Sequence, residues 1–131
     1  MYLVIDISNA SNIIFHYSFD DGEHWQKAAQ QKIAGELGLL KALDQVLQMA
    51  DRTVHSITHL GLIMGKNTFT ETRIAATLAN TLAFALHSSI VNLSSFDSQR
   101  TAGELREGNA GQYALALYSG EPRIGGKRNE V

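Results

Sequence analysis

The stretch from His59 to Leu86 constrains the fold more than any other part of the chain. Leu60 to Met64 is apolar and too short for a helix, so it reads as a buried strand. Gly65-Lys66-Asn67 is turn chemistry. Beyond it, Ile74, Leu78, Leu82 and Leu86 recur at helical spacing, with Thr81 and Ala85 beside them. Ala75, Ala76, Ala79 and Ala83 form a second, smooth face suited to close helix packing. Thr70 is expected to cap the helix N-terminus, and Glu71 to suit its dipole. Ser89 to Leu93 is apolar again. Strand, helix and strand in succession make a crossover, which demands a sheet with parallel neighbours.

The chain before this unit reads differently. Tyr2 to Ile7 is a buried strand, and Asn9-Ala10-Ser11-Asn12 a turn. Ile13 to Phe19 is a second strand with Ile13, Phe15, Tyr17 and Phe19 on one face. Asp20-Asp21-Gly22 signals a hairpin, and Glu23 to Gln30 a weaker third strand. A helix is expected from Ile33 to Ala50, carried by Ile33, Leu37, Leu40, Leu43 and Leu47. Leu39, Val46 and Met49 widen its apolar arc beyond what one sheet requires. The order β-β-β-α-β-α-β predicts a mixed five-stranded sheet in an α/β fold, a ribonuclease-H-like or actin-like (ASKHA) lobe. This lobe covers residues 1–97. Residues 98–124 read as an extension, with a helix over Thr101 to Glu107, a strand over Gln112 to Tyr118 and a short return at Arg123-Ile124. Residues 125–131 read as a disordered tail.

Composition narrows the class. The 131 residues suffice for one core. A formal net charge of −2 argues against a basic nucleic-acid groove. No cysteine is present, which excludes disulfides and thiolate metal sites. No apolar run reaches the ~20 residues of a membrane span. Met1 to Asp6 has no basic n-region. A cytoplasmic protein is the expectation.

Val4-Ile5-Asp6-Ile7-Ser8 resembles the opening strand of the bacterial TsaB (YeaZ) family, actin-like proteins of tRNA threonylcarbamoyladenosine biosynthesis. Gly65, Phe69, Thr70, Arg73 and Ile74 match that family's loop-helix signature, with Thr68 in place of Ser. Leu82 to Leu86 and Ile90 to Ser95 resemble the run that follows it. Lys66, Asn67, Glu71 and Ala75 depart from the signature: the first replaces Pro and the others Gly. The resemblance covers Met1 to about Asp97, so the chain is expected to consist essentially of the family's N-terminal lobe. It implies a non-catalytic subunit that pairs with TsaD, the catalytic actin-like protein, or with itself. The surfaces would be helices 33–50 and 70–87, through Leu39, Leu40, Leu43, Ala75, Ala76, Ala79 and Ala83. No cofactor and no catalytic residue is expected on this reading.

The residues also suggest other chemistries. Asp6 ends the first strand, where actin-like phosphotransferases hold a metal-phosphate group. An ATP- and magnesium-dependent enzyme using Asp6 is therefore the alternative, although Ser8-Asn9-Ala10-Ser11 lacks the glycine of a phosphate loop. Asp6 and Glu36 are also placed as in a two-metal nuclease, but no acid follows the fourth strand as a third ligand. Lys66, Thr70 and Arg73 could hold an anion at the helix N-terminus, without the spacing of a true phosphate loop. His55 and His59 would share a metal only on a helix, which Ile57-Thr58 disfavours, so no metal site is expected. Tyr17 and Trp25 could offer a stacking surface, a sheet-face core role being the simpler reading.

Overall fold

β1 (Tyr2–Asp6) lies at the centre of the sheet because every residue from Tyr2 to Ile5 is buried. A strand covered on both faces must be apolar throughout, and Tyr-Leu-Val-Ile is. The computed structural model describes residues 1–33, 38–65 and 67–108. Around β1 are β2 (Asn12–Ser18), β3 (Gln26–Gln31), β4 (His59–Ile63) and β5 (Ser89–Asn92), in the order β3-β2-β1-β4-β5. The β1–β2 and β2–β3 pairs are antiparallel, and β1–β4 and β4–β5 are parallel. The mixed five-stranded sheet expected from the element order is thus observed.

Two helices cover one face. α1 (Leu39–Met49) lies over β2 and β3, and α2 (Phe69–Leu86) over β4 and β5. Beneath them Leu3, Ile5, Phe15, Leu60 and Leu62 form the main core. On the other face α3 (Thr101–Arg106) packs Ala102 and Leu105 against Tyr2, Val4, Ile63 and Leu93. Gly61 admits this close approach: a Cβ there would meet Leu93 Cδ1 at 2.7 Å and Leu105 Cδ2 at 2.9 Å. Arg106 Nη1 donates to the Asp21 carbonyl at 3.0 Å, tying α3 to the β2–β3 loop.

Several expectations are corrected. α1 starts at Leu39, not Ile33, because Gly38 adopts φ 67° and breaks the helix there. The Ile33 side chain occupies the space a Cβ at Gly38 would need. The β2–β3 turn is wider than a tight hairpin: the last pair is Tyr17↔Gln26. Asp21 and Gly22 both have positive φ, and the Asp20 carboxylate holds the loop by accepting from His24 N at 2.9 Å and Ser18 Oγ at 2.7 Å. Residues 34–37, which include Glu36 and Leu37, lie outside the described residues, as does everything predicted beyond residue 108.

The largest correction concerns α2. Ala75, Ala76, Ala79 and Ala83, read from sequence as a face free for a partner, are its core face. Large side chains on β4 and β5, among them Leu60, Leu62 and Ile90, already fill the layer between helix and sheet. Only small residues let the helix backbone sit close above them. Leu78, Leu82 and Leu86 are displaced to the flank and half-buried, and Ile74 remains 36% exposed. Leu39 and Leu43 are likewise buried, so of the seven residues expected at an interface Leu40 alone is exposed. Ala79→Glu should therefore abolish the cooperative thermal transition, since it would place a charge in the core without a partner. Ile74→Glu should shift stability by no more than about 0.5 kcal/mol. Melting of both variants followed by circular dichroism checks the assignment of faces.

Candidate functional site between the two helices

Two places could do chemistry: the corner where β1 and β4 end, and the groove between α1 and α2. At the corner, Asp6 Oδ1 accepts from Ser8 N at 2.8 Å and from Ser8 Oγ at 2.5 Å. Asn9 Oδ1 accepts from the amides of Ser11 and Asn12, both at 2.9 Å. Three backbone N–H groups of the loop after β1 are thus taken by the loop's own side chains. A phosphate bound through these three amides would have to displace those bonds.

The other strand end is tied to the same corner. Gly65 has φ 64° and stands so close to β1's turn that a Cβ would meet Ser8 Cβ at 2.4 Å. Asn67 Nδ2 donates to the Met64 carbonyl. Lys32 Nζ donates to the Ile7 carbonyl at 2.9 Å and to Asn67 Oδ1 at 3.1 Å, joining the two strand ends. Sequence reading missed Lys32, because its partners lie 25 and 35 residues away and no local pattern marks them.

The start of α2 is also satisfied internally. Thr68, not Thr70, is the N-cap: its Oγ1 accepts from Glu71 N at 3.1 Å, and Glu71 Oε1 accepts from Thr68 N. This capping box places a carboxylate where the helix dipole would attract an anion. The signal that marks this cap in the sequence is the Thr-x-x-Glu spacing. Thr70 and Arg73 sit one and four residues beyond Phe69 on exposed positions, while Lys66 lies outside the described residues. Among the described residues no three His, Asp or Glu side chains group as metal ligands. His55 falls in a 3₁₀ turn and His59 opens β4, so the two do not share a helix face. Tyr17 is in the core beneath the helices and Trp25 packs on the opposite face, so they form no common stacking surface.

The groove is the more open feature. It encloses about 670 Å³ and is walled by Leu40 and Lys41 of α1 and by Phe69, Arg73, Ile74 and Leu78 of α2. Leu40 is 64% exposed and Phe69 54%. Phe84, farther along α2, is 75% exposed. The Arg73 guanidinium lies over the Phe69 ring, 5.4 Å from its centroid. Exposed apolar side chains clustered on two neighbouring helices are the usual mark of a contact surface.

Histidines report on the other face. His16 stacks on Phe96 with ring centroids 3.8 Å apart, and burial holds its pKa below the usual value. His59, beside the Tyr2 ring, is lowered mainly by burial as well. His24, hydrogen-bonded to Asp20 at 2.7 Å, is raised by that bond.

Comparison with solved structures agrees with the architecture. YeaZ from Pseudomonas aeruginosa matches with a TM-score of 0.59 at 20% identity, over 71% of this chain and 44% of that one. An uncharacterized protein with similarity to peptidase YeaZ from Pseudomonas aeruginosa matches with a TM-score of 0.58 at 20% identity, over 71% of this chain and 42% of that one. The fold is therefore the actin-like one, and the chain spans less than half the length of either structure. No protein-family model matches the sequence, and no curated protein is significantly similar to it. Among the described residues no helix is long and apolar enough to cross a membrane.

Two measurements follow from this geometry. Thr68→Ala should destabilise the fold by about 1 kcal/mol, read from chemical denaturation, because it removes one half of the capping box. NMR titration should place His16 and His59 below the reference value of 6.5 and His24 above it. Protonating His16 or His59 disfavours the folded state, so their stabilising contribution is present above pH 6.5 and lost as pH falls through the lowered values. His24 acts oppositely: its contribution is present below 6.5 and lost as pH rises through the raised value.

Proposed function

We propose that this chain is a diverged, TsaB-like actin-fold lobe that works as a non-catalytic assembly partner in tRNA threonylcarbamoyladenosine formation. The observation that carries the reading is the groove between α1 and α2, with Leu40, Phe69 and Ile74 exposed around it. The sequence resemblance over Met1 to Asp97 and the likeness in fold to YeaZ support the family assignment. The self-satisfied turns at Asp6 and Asn9 support a subunit that does not transfer phosphate. The chain would bind a TsaD-like subunit, or a second copy, through the α1/α2 face in the cytoplasm, with no cofactor of its own.

The interface residues in this proposal are Leu40, Phe69 and Ile74; the alanines are needed for the core. A tagged full chain should co-purify a TsaD-like protein, and Leu40→Glu with Ile74→Glu should release it while the far-ultraviolet dichroism stays unchanged. Retention of the partner by the double variant, or no TsaD-like partner at all, would count against the proposal. Isothermal titration of the chain with ATP and magnesium should give no measurable heat. Micromolar binding lost in Asp6→Asn would instead favour the phosphotransferase alternative.

A further inference from the structure

The groove has a charge character that its apolar walls do not explain. Among the described residues lining it, Lys41 and Arg73 are the ionised side chains, and both are cations. The whole chain carries a formal net charge of −2, so this groove runs against the average. Neither cation is paired with a carboxylate among the described residues. Asp44, a turn farther along α1, does not line the groove, and its carboxylate accepts from Gln48 Nε2 at 2.9 Å. Glu71 on α2 is turned back to the Thr68 amide by the capping box.

We infer that the groove receives an amphipathic helix from a different protein, one whose apolar stripe is flanked by Asp and Glu. This rests on the assembly-partner reading above and names the chemistry of the partner. The apolar stripe matches Leu40, Ile74 and Leu78, and the carboxylates match Lys41 and Arg73. Stacking on Phe69 holds the Arg73 guanidinium at the groove's edge, which reduces the entropy lost when it pairs. A helix fits because both walls are helices, and the lining on α2 runs from Phe69 to Thr81, about 18 Å of helix. A second copy of this chain fits poorly. Two-fold symmetry applies the patch to itself, and among the described residues the patch's ionised groups are cations, which offer its copy no carboxylate.

The test uses the full chain and two fluorescent synthetic helical peptides of roughly four turns. They share one Leu/Ile stripe and differ only in flanks of Glu or of Lys. Anisotropy should show the Glu peptide binding about tenfold or more tighter than the Lys peptide, with affinity falling as salt rises. The exposed double substitution Lys41→Glu, Arg73→Glu should reverse the preference without altering the dichroism spectrum. Equal binding of the two peptides, binding of neither, or a preference that the double variant leaves unmoved overturns the inference. So does light scattering that shows a dimer of the wild-type chain dissociated by Ile74→Glu. If the peptides fail while a TsaD-like protein still co-purifies, the charge rule falls and the assembly reading stands. If the Glu peptide binds as expected and no such protein co-purifies, the groove's chemistry stands and the assembly reading falls.

Discussion

The structure depends on β1 being paired on both edges and covered on both faces. Its five residues align antiparallel to Ile14–Ser18 and parallel to His59–Ile63. Leu3 and Ile5 supply the core under α1 and α2, while Tyr2 and Val4 supply the one under α3. No polar side chain could take Leu3, Val4 or Ile5 without losing its water and finding no partner. With β1 so placed, the hairpin strands must lie on one side of it and the crossover strands on the other. The ends of β1 and β4 then meet at one corner, and the two helices meet over one face.

That corner carries Asp6, the residue the sequence offers for a metal-phosphate group. Several of the corner's polar groups bond to each other. Asp6 and Asn9 accept from the loop amides, Lys32 bridges the strand ends, and Glu71 closes the helix N-terminus. These bonds stabilise the joint, and each is one that a bound anion would have to replace. The surface freest for contact is displaced to the helices. Among the described residues lining the groove there, the ionised side chains are Lys41 and Arg73, set among leucines, Ile74, Phe69 and threonines.

The inverted face of α2 shows why amphipathicity alone misleads on this helix. Both of its stripes are apolar, one of large residues and one of alanines, so hydrophobicity does not rank them. The choice is made by space. Leu60, Leu62 and Ile90 already fill the layer above the sheet, and a helix resting on them must present small side chains. Ile74 and Leu78 then line the groove between the two helices.

The sequence by itself determined the element order, the faces of β1 and β2, and the mixed sheet, because periods of 2 and 3.6 are written in neighbouring residues. It also contained the Thr68–Glu71 capping box, a local pattern. Tertiary structure alone decided the rest. Gly38, rather than the apolar spacing before it, sets where α1 begins, because Ile33 packs against it. Lys32 joins strand ends far apart in the chain. The alanines turn inward because of side chains on other strands, and Lys41 and Arg73 become neighbours across a groove only once both helices are laid on the sheet. Contacts between distant residues leave no period in the sequence, so only the folded chain reveals them.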